Sequence, residues 1–337
     1  MNLLFLVLMF TSLSSMGKSP KEQRLEFLRK DLSHVKNDHE LFHFKAPEDY
    51  DHCPNMGYCH VKDKTVHHVL RTNKKTVYDV TYEMDSYRRR MTPFRSQGTR
   101  HLILSGCSFV FGTGLSSDKT LPYFLAKEIP HSSPYNYGLA GSGTNSMTAQ
   151  AQEFIDKESI PQEEGFMIYT LLNFHVPRSN ALAMEREWLW DTPVYEDKGH
   201  GFEYQGTFKE AQPIRTWIYH KLQSGLKLFD IKLNFPPLGS KHYNYTCKLI
   251  HKARQIYKRR FPKGRFLVYD HPFDELNTKL KSCLKEKMIE LIPSGLTKKT
   301  DDYIEHDGHP SAQLNKRIAK EIAQYLKAHE QSPIESY

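Results

Sequence analysis

The residues of this sequence with the strongest chemical content are a serine behind a glycine and a histidine behind an aspartate. Gly106-Cys107-Ser108 closes the apolar run Leu102-Ile103-Leu104. A strand that stops there and turns into a helix holds a hydroxyl at the carboxyl edge of a sheet, where α/β proteins place their ligands. The first amides of such a helix lack internal acceptors and can face an anion. Near the other end of the chain, Asp307-Gly308-His309-Pro310 supplies the complement. The imidazole can take the serine proton, and the carboxylate can fix the imidazole tautomer. The chemistry these types support is acyl transfer through a serine nucleophile.

Two further blocks lie between them. Asn136-Tyr137-Gly138-Leu139-Ala140-Gly141-Ser142-Gly143-Thr144-Asn145 is a strand ending in a loop of little side-chain bulk, whose backbone N–H groups can approach a ligand closely. Tyr169-Thr170-Leu171-Leu172-Asn173-Phe174-His175 puts a side-chain amide at another strand end. Arg178 and Asn145 read either as lining the same edge or as structural. Taken singly, a serine after glycine is usually a turn and a histidine before a helix a cap. It is the complementarity of the four blocks that argues for catalysis.

In this order the four blocks resemble the SGNH (GDSL-like) hydrolase family over roughly residues 98–328, and most closely its bacterial envelope-associated members. Those also carry Gly-x-Ser-Phe-x-Phe-Gly, here 106–112, and a preceding β element. The resemblance implies a three-layer α/β/α sandwich with a mostly parallel, flavodoxin-like sheet. It implies Ser108 as nucleophile, His309 as general base and Asp307 as the group that orients it. It implies an oxyanion hole made of the backbone N–H groups of Ser108 and Gly141 and the side-chain amide of Asn173, with no metal or organic cofactor. The chain departs from the pattern in three places. Cys107 stands where the family has Asp. The late pair is Asp307-x-His309 rather than Asp-x-x-His, which keeps Glu305 and Asp302 as reserves for the carboxylate. Leu171 and Phe174 flank Asn173 in place of Gly-x-Asn-Asp, leaving His175 as an alternative polar group.

The elements that must position these residues are legible as patterns. Apolar runs of strand length recur at 101–106, 135–139, 166–172 and 265–270, with helical patterns between them, such as Leu121 to Ile129 with Pro122 in its first turn. This alternation predicts a parallel sheet covered on both faces. Ser311 followed by Leu314, Ile318, Ile322 and Leu326 predicts an N-capped amphipathic helix. The hydrolase domain is placed at 99–330, with an insertion at about 181–240 that breaks the rhythm. Within it a hairpin is expected at 193–204, then a helix from Arg215 to Phe229 with Trp217, Ile218, Leu222, Leu226 and Phe229 as its apolar positions. Residues 18–98 form an N-terminal extension. Its small β element contains a strand at 77–84, followed by a turn at Asp85-Ser86 into a second short strand.

Residues 1–17 read as a secretory signal peptide: an apolar run from Leu3 to Phe10, then small residues before Lys18. The run is too short to span a bilayer, and no later segment resembles a span. A secreted or periplasmic, envelope-associated location follows. There are five cysteines. For an exported chain Cys53 with Cys59 and Cys247 with Cys283 are candidate disulfides, the connectivity being open in sequence, and Cys107 a buried free thiol. The cluster His52, Cys53, Cys59 and His60 also suggests zinc, although it lacks a Cys-x-x-Cys pair. The net charge of +8 on 337 residues is modest. Arg88-Arg89-Arg90 and Lys258-Arg259-Arg260 read as solvated faces, with no basic and aromatic stripe for nucleic acid. Asn244-Tyr245-Thr246 matches a glycosylation sequon.

The function expected is therefore a serine esterase acting on an O-acyl ester, an O-acetylated carbohydrate being the substrate class that suits an exported member and lipid esters the other. The partner is then a small-molecule or carbohydrate ester. Neither a nucleic acid nor a stable membrane span is expected, and the oligomeric state is open. The rival readings are an O-acyltransferase with the same triad, a non-catalytic carbohydrate-binding module with the same fold, and a metal-dependent protein built on the scattered histidines.

Overall fold

Two small antiparallel sheets precede the main domain. β1 (Phe42–Phe44) is followed by a hairpin of β2 (Tyr50–Cys53) and β3 (Gly57–His60), then by β4 (Thr65–Arg71) and β5 (Thr76–Glu83). β4 is central to a sheet ordered β1-β4-β5. In β5 the side chains of Tyr78 and Tyr82 are buried, and Met84 just beyond continues that face. The expected strand is thus present, but it pairs with β4 before it and not with a strand after the turn. Beyond Asp85-Ser86 the chain makes only isolated bridges, Arg90 touching both Met84 and Asn136. The computed structural model describes residues 42–44, 49–72, 75–93, 98–156, 158–182, 187–199, 201–228, 238–272 and 274–329. The expected signal peptide at 1–17 lies outside them.

The main domain begins with β6 (Arg100–Gly106), α1 (Ser108–Phe111), α2 (Leu121–Glu128), β7 (Ser132–Gly138), α3 (Thr144–Glu153), β8 (Glu164–Leu171) and α4 (His175–Ser179). The insertion follows with the hairpin β9 (Pro193–Asp197) and β10 (Phe202–Thr207), then α5 (Phe208–Ala211) and α6 (Pro213–Leu228). The chain ends with α7 (Ser240–Arg260), β11 (Arg265–Asp270), α8 (Thr278–Glu286), β12 (Glu290–Ile292) and α9 (Ala312–Ala328). Five of these strands form one parallel sheet in the order β7-β6-β8-β11-β12. Counted within the sheet this is 2-1-3-4-5, the flavodoxin-like order, with its switch point beside β6.

The strands are apolar throughout because both faces are covered. On one side Met147, Ile250, Tyr257 and Leu280 from α3, α7 and α8 pack on Ile103, Met167 and Val268. On the other, Leu125 of α2 and Leu314, Ile318, Ile322 and Leu326 of α9 pack on Leu104, Ile168 and Leu267. Each such leucine or isoleucine contributes about 1.5–3 kcal/mol through burial. Ser311 caps α9 as expected, accepting from the Leu314 N–H. The fold is a three-layer α/β/α sandwich.

Three expectations are corrected. Trp217 and Ile218 on α6 are not core positions; they are 62% and 42% exposed. The arginine run at 88–90 is not a solvated face. Arg89 and Arg90 are buried, Arg89 in an ion pair with Asp85. In the second basic run, Arg260 at the end of α7 donates to the carbonyls of Ala151 and Ile155, tying α7 to the end of α3. The zinc reading also falls: Cys53 and Cys59 are bonded to each other, so neither sulfur is a free thiolate.

A second disulfide, Cys247–Cys283, joins α7 to α8 across 36 residues. Closing a loop of that length stabilises by about 4 kcal/mol on the chain-entropy account. Cys247→Ser with Cys283→Ser is expected to lower the urea midpoint clearly while the native far-ultraviolet circular dichroism is kept. An unchanged midpoint would show that the link is not a stability element.

Candidate active site

Ser108 is the first residue of α1, directly behind β6, and is 8% exposed. Cys107, in extended conformation, forms the corner, and Gly112 in the left-handed region (φ 82°) ends the single turn. The turn is clamped from the N-terminal extension. The fully buried Arg90 guanidinium donates to the carbonyls of Phe111 at 2.8 Å, Gly112 at 2.7 Å and Leu115 at 2.5 Å. Burial alone pushes this arginine down to about 10, so the guanidinium stays charged at neutral pH.

The carboxylate and imidazole are set by a short hairpin before α9. The amide of Ile304 bonds the His309 carbonyl, and those of Asp307 and Gly308 both bond the Ile304 carbonyl. Gly308 has φ 79°, a conformation glycine adopts without strain. The turn brings Asp307 Oδ2 to 2.6 Å from His309 Nδ1, with the carboxylate side chain 1% and the imidazole 21% exposed. The shorter Asp-x-His spacing is thus compatible with a direct bond. The reserves are engaged elsewhere. Asp302 pairs with Arg317, and Glu305 pairs with Lys75 at the edge of the β1-β4-β5 sheet.

The hydroxyl and imidazole blocks meet through Phe109. Its ring stands edge-on to His309 at 5.5 Å between centroids, to His271 at 5.2 Å and to Phe174 at 5.8 Å. The ends of β6, β8 and β11 and the late hairpin therefore converge on one edge. Among the described residues no hydrogen bond joins Ser108 to His309 directly. Such bonds are commonly long without substrate and tighten in its complex.

The glycine loop after β7 borders the same edge. The Leu139 amide and the Ser142 hydroxyl both donate to Gly106 O, two residues before Ser108. Gly141 has φ 79°, and a Cβ there would come within 2.7 Å of the Trp188 indole nitrogen, which itself donates to Gly141 O. Tyr58 of β3 donates to Ala140 O. Asn145 is structural: its amide holds Thr192 and Pro193 of the insertion.

Asn173 is placed at the edge, but its amide is occupied. Nδ2 donates to Asp274 and to the Glu275 carbonyl, and Oδ1 accepts from the Asn277 amide at 3.1 Å. His175 is fully buried and bonds Tyr169 through Nδ1. Sequence reasoning missed Trp188 and His271, whose relation to the site exists only in three dimensions, and Arg90, read as a surface residue.

No protein-family model matches the sequence, and no curated protein matches it. Solved structures with a similar chain course include an acetyl xylan esterase from the rumen bacterium Butyrivibrio proteoclasticus, at 10% identity and TM-score 0.43, covering 75% of this chain and 66% of that one. A carbohydrate esterase whose active site is described as having divergent catalytic and non-catalytic binding functions gives 12% identity and TM-score 0.39 over 89% of both chains. A lipolytic G-D-S-L protein from Veillonella parvula gives 13% and 0.35 over 68% of this chain and 98% of that one. At these scores the fold stands on the strand order and layers described above.

Three buried histidines bear on the pH response. Burial pushes His101 and His271 down to about 4, and His175 well below the ordinary value. In the folded protein they are neutral at pH 5–6, where an unfolded chain, titrating near 6.5, takes up protons. Stability is therefore highest above about pH 6.5 and falls as the pH drops toward 4, by up to about 1.4 kcal/mol per pH unit for each histidine. Urea unfolding between pH 7 and 4.5 is expected to show this slope, and His101→Gln to make it shallower. A flat profile would contradict the assignment.

Proposed function

We propose that this chain is a serine ester hydrolase of the SGNH type. The observation that carries the reading is the Asp307–His309 bond beside Phe109, which sets an oriented imidazole against the residue next to Ser108. Ser108 Oγ attacks the ester carbonyl carbon while its proton passes to His309 Nε2. The tetrahedral intermediate collapses, the C–O bond to the alcohol breaks, and His309 gives the proton to the leaving oxygen. Water then attacks the acyl-enzyme, again losing a proton to His309, which returns it to Ser108 as the acid departs. Asp307 fixes the tautomer that keeps Nε2 free to accept and stabilises the imidazolium. The backbone N–H groups of Ser108 and Gly141 are the proposed donors to the oxyanion.

A short acyl ester on a carbohydrate is the proposed substrate class. Phe109, Phe174 and Trp188 border the site as aromatic surfaces of the kind sugar rings stack on, and the two disulfides suit an oxidising, extracytoplasmic location. Among the described residues no helix is long and apolar enough to cross a membrane.

A fluorophosphonate probe is expected to label the folded protein at Ser108, and Ser108→Ala to abolish labelling. Asp307→Asn is expected to lower kcat on p-nitrophenyl acetate by about 10³–10⁴-fold with the fold retained. Folded wild-type protein that is neither labelled nor active would overturn the reading in favour of a binding module. Acetylated product on adding an oligosaccharide acceptor would shift it to acyl transfer.

A further inference from the structure

The Asn173 amide, the third oxyanion donor expected from the sequence, has all its hydrogen-bonding capacity turned toward residues 274–277. Both its backbone and its side chain brace that loop, since the Asn173 N–H also bonds the Asp274 carboxylate at 2.8 Å. An amide committed in this way cannot also meet a developing alkoxide without breaking the brace.

A cation stands in the same region. Arg178, on α4 behind β8, donates through Nη1 to Ser142 O at 3.3 Å, and its guanidinium lies 4.3 Å from the centre of the Phe174 ring. Ser142 is the residue whose hydroxyl bonds Gly106 O, so Arg178 spans from the end of β8 to the junction of the serine and glycine blocks. Burial pushes the Cys107 thiol up, and the Arg178 charge is what opposes that shift most strongly, so the guanidinium lies near the residue before Ser108. Among the described residues no carboxylate forms an ion pair with Arg178. A guanidinium has five N–H donors in a fixed fork, so one bond to a carbonyl leaves others for an anion.

We propose that Arg178 is a catalytic residue that donates to the substrate carbonyl oxygen as negative charge develops on it, taking the place of the Asn173 amide. This rests on the serine hydrolase reading above. A fixed cation aimed at the oxyanion acts on the transition state more than on the neutral ester, so its removal lowers kcat more than it raises KM.

The experiment compares wild type, Arg178→Ala, Arg178→Lys and Asn173→Ala on p-nitrophenyl acetate, with thermal unfolding of each, and adds guanidinium chloride at low, non-denaturing concentration. Arg178→Ala is expected to lose about 10²–10³-fold in kcat with KM changed only a few-fold. Added guanidinium should restore part of the loss, and urea at the same concentration should not. Asn173→Ala is expected to lose melting temperature and only a few-fold in kcat. Loss of kcat in Asn173→Ala with little change in Arg178→Ala would overturn the proposal. So would a loss in Arg178→Ala that guanidinium cannot rescue and that tracks its melting temperature, since that is the mark of a packing role. Wild type with no turnover and no probe labelling would refute the hydrolase reading itself, and this proposal with it.

Discussion

One aromatic ring links residues two hundred positions apart in the sequence. Phe109 follows Ser108 in sequence and meets rings from the end of β8, the end of β11 and the hairpin before α9. Edge-to-face contacts of this kind have preferred distances and angles and contribute about 0.5–1.5 kcal/mol each beyond the area they bury. Their joint effect is positional. The imidazole is held on one side by the buried carboxylate of Asp307 and on another by a ring rigidly attached to the serine's own helical turn. The sheet order makes this feasible, because β6 and β8 are neighbours at the switch point and their carboxyl ends open into one crevice.

The N-terminal extension is part of the machinery that holds the site. Arg90 satisfies three backbone carbonyls around the end of α1, groups that a single-turn helix cannot satisfy itself. Tyr82 accepts from the Gly114 amide, and the Tyr78 ring packs where a side chain at Gly114 would stand, next to Ile304. The Asp307 charge adds to the burial that raises both tyrosine hydroxyls above their ordinary range, which places the carboxylate close to this sheet. A burial cost is accepted at Arg90 and offset by hydrogen bonds, and the result is a Ser108 turn clamped at three carbonyls.

The sequence was most legible where local pattern and burial agree. The runs at 101–106, 166–172 and 265–270 read as strands because a sheet covered on both faces needs unbroken apolar stretches, and α9 read cleanly from its cap and its spacing. β12 escaped notice because three residues carry no period. β4 escaped because His67 and His68 interrupt its alternation, although His68 lies inward with Val66 and Leu70. Both disulfides were legible as candidate pairs, Cys53 with Cys59 and Cys247 with Cys283, and the structure forms both. At the site, the Asp307–His309 pair was readable because its members are two residues apart. The occupation of Asn173 was not, since its partners lie about a hundred residues downstream. Arg89 and Arg90 misled because three adjacent arginines look like a surface patch until their carbonyl, carboxylate and aromatic partners are seen.

The indole of Trp188 donates to Gly141 O in the glycine loop, and Asn145 at the end of that loop donates to Thr192 and Pro193 of the insertion. The insertion is thus fastened to the glycine loop that follows β7. Grafting the insertion of one such protein onto the sheet-edge loops of another would keep these bonds only if residues 139–145 travelled with it.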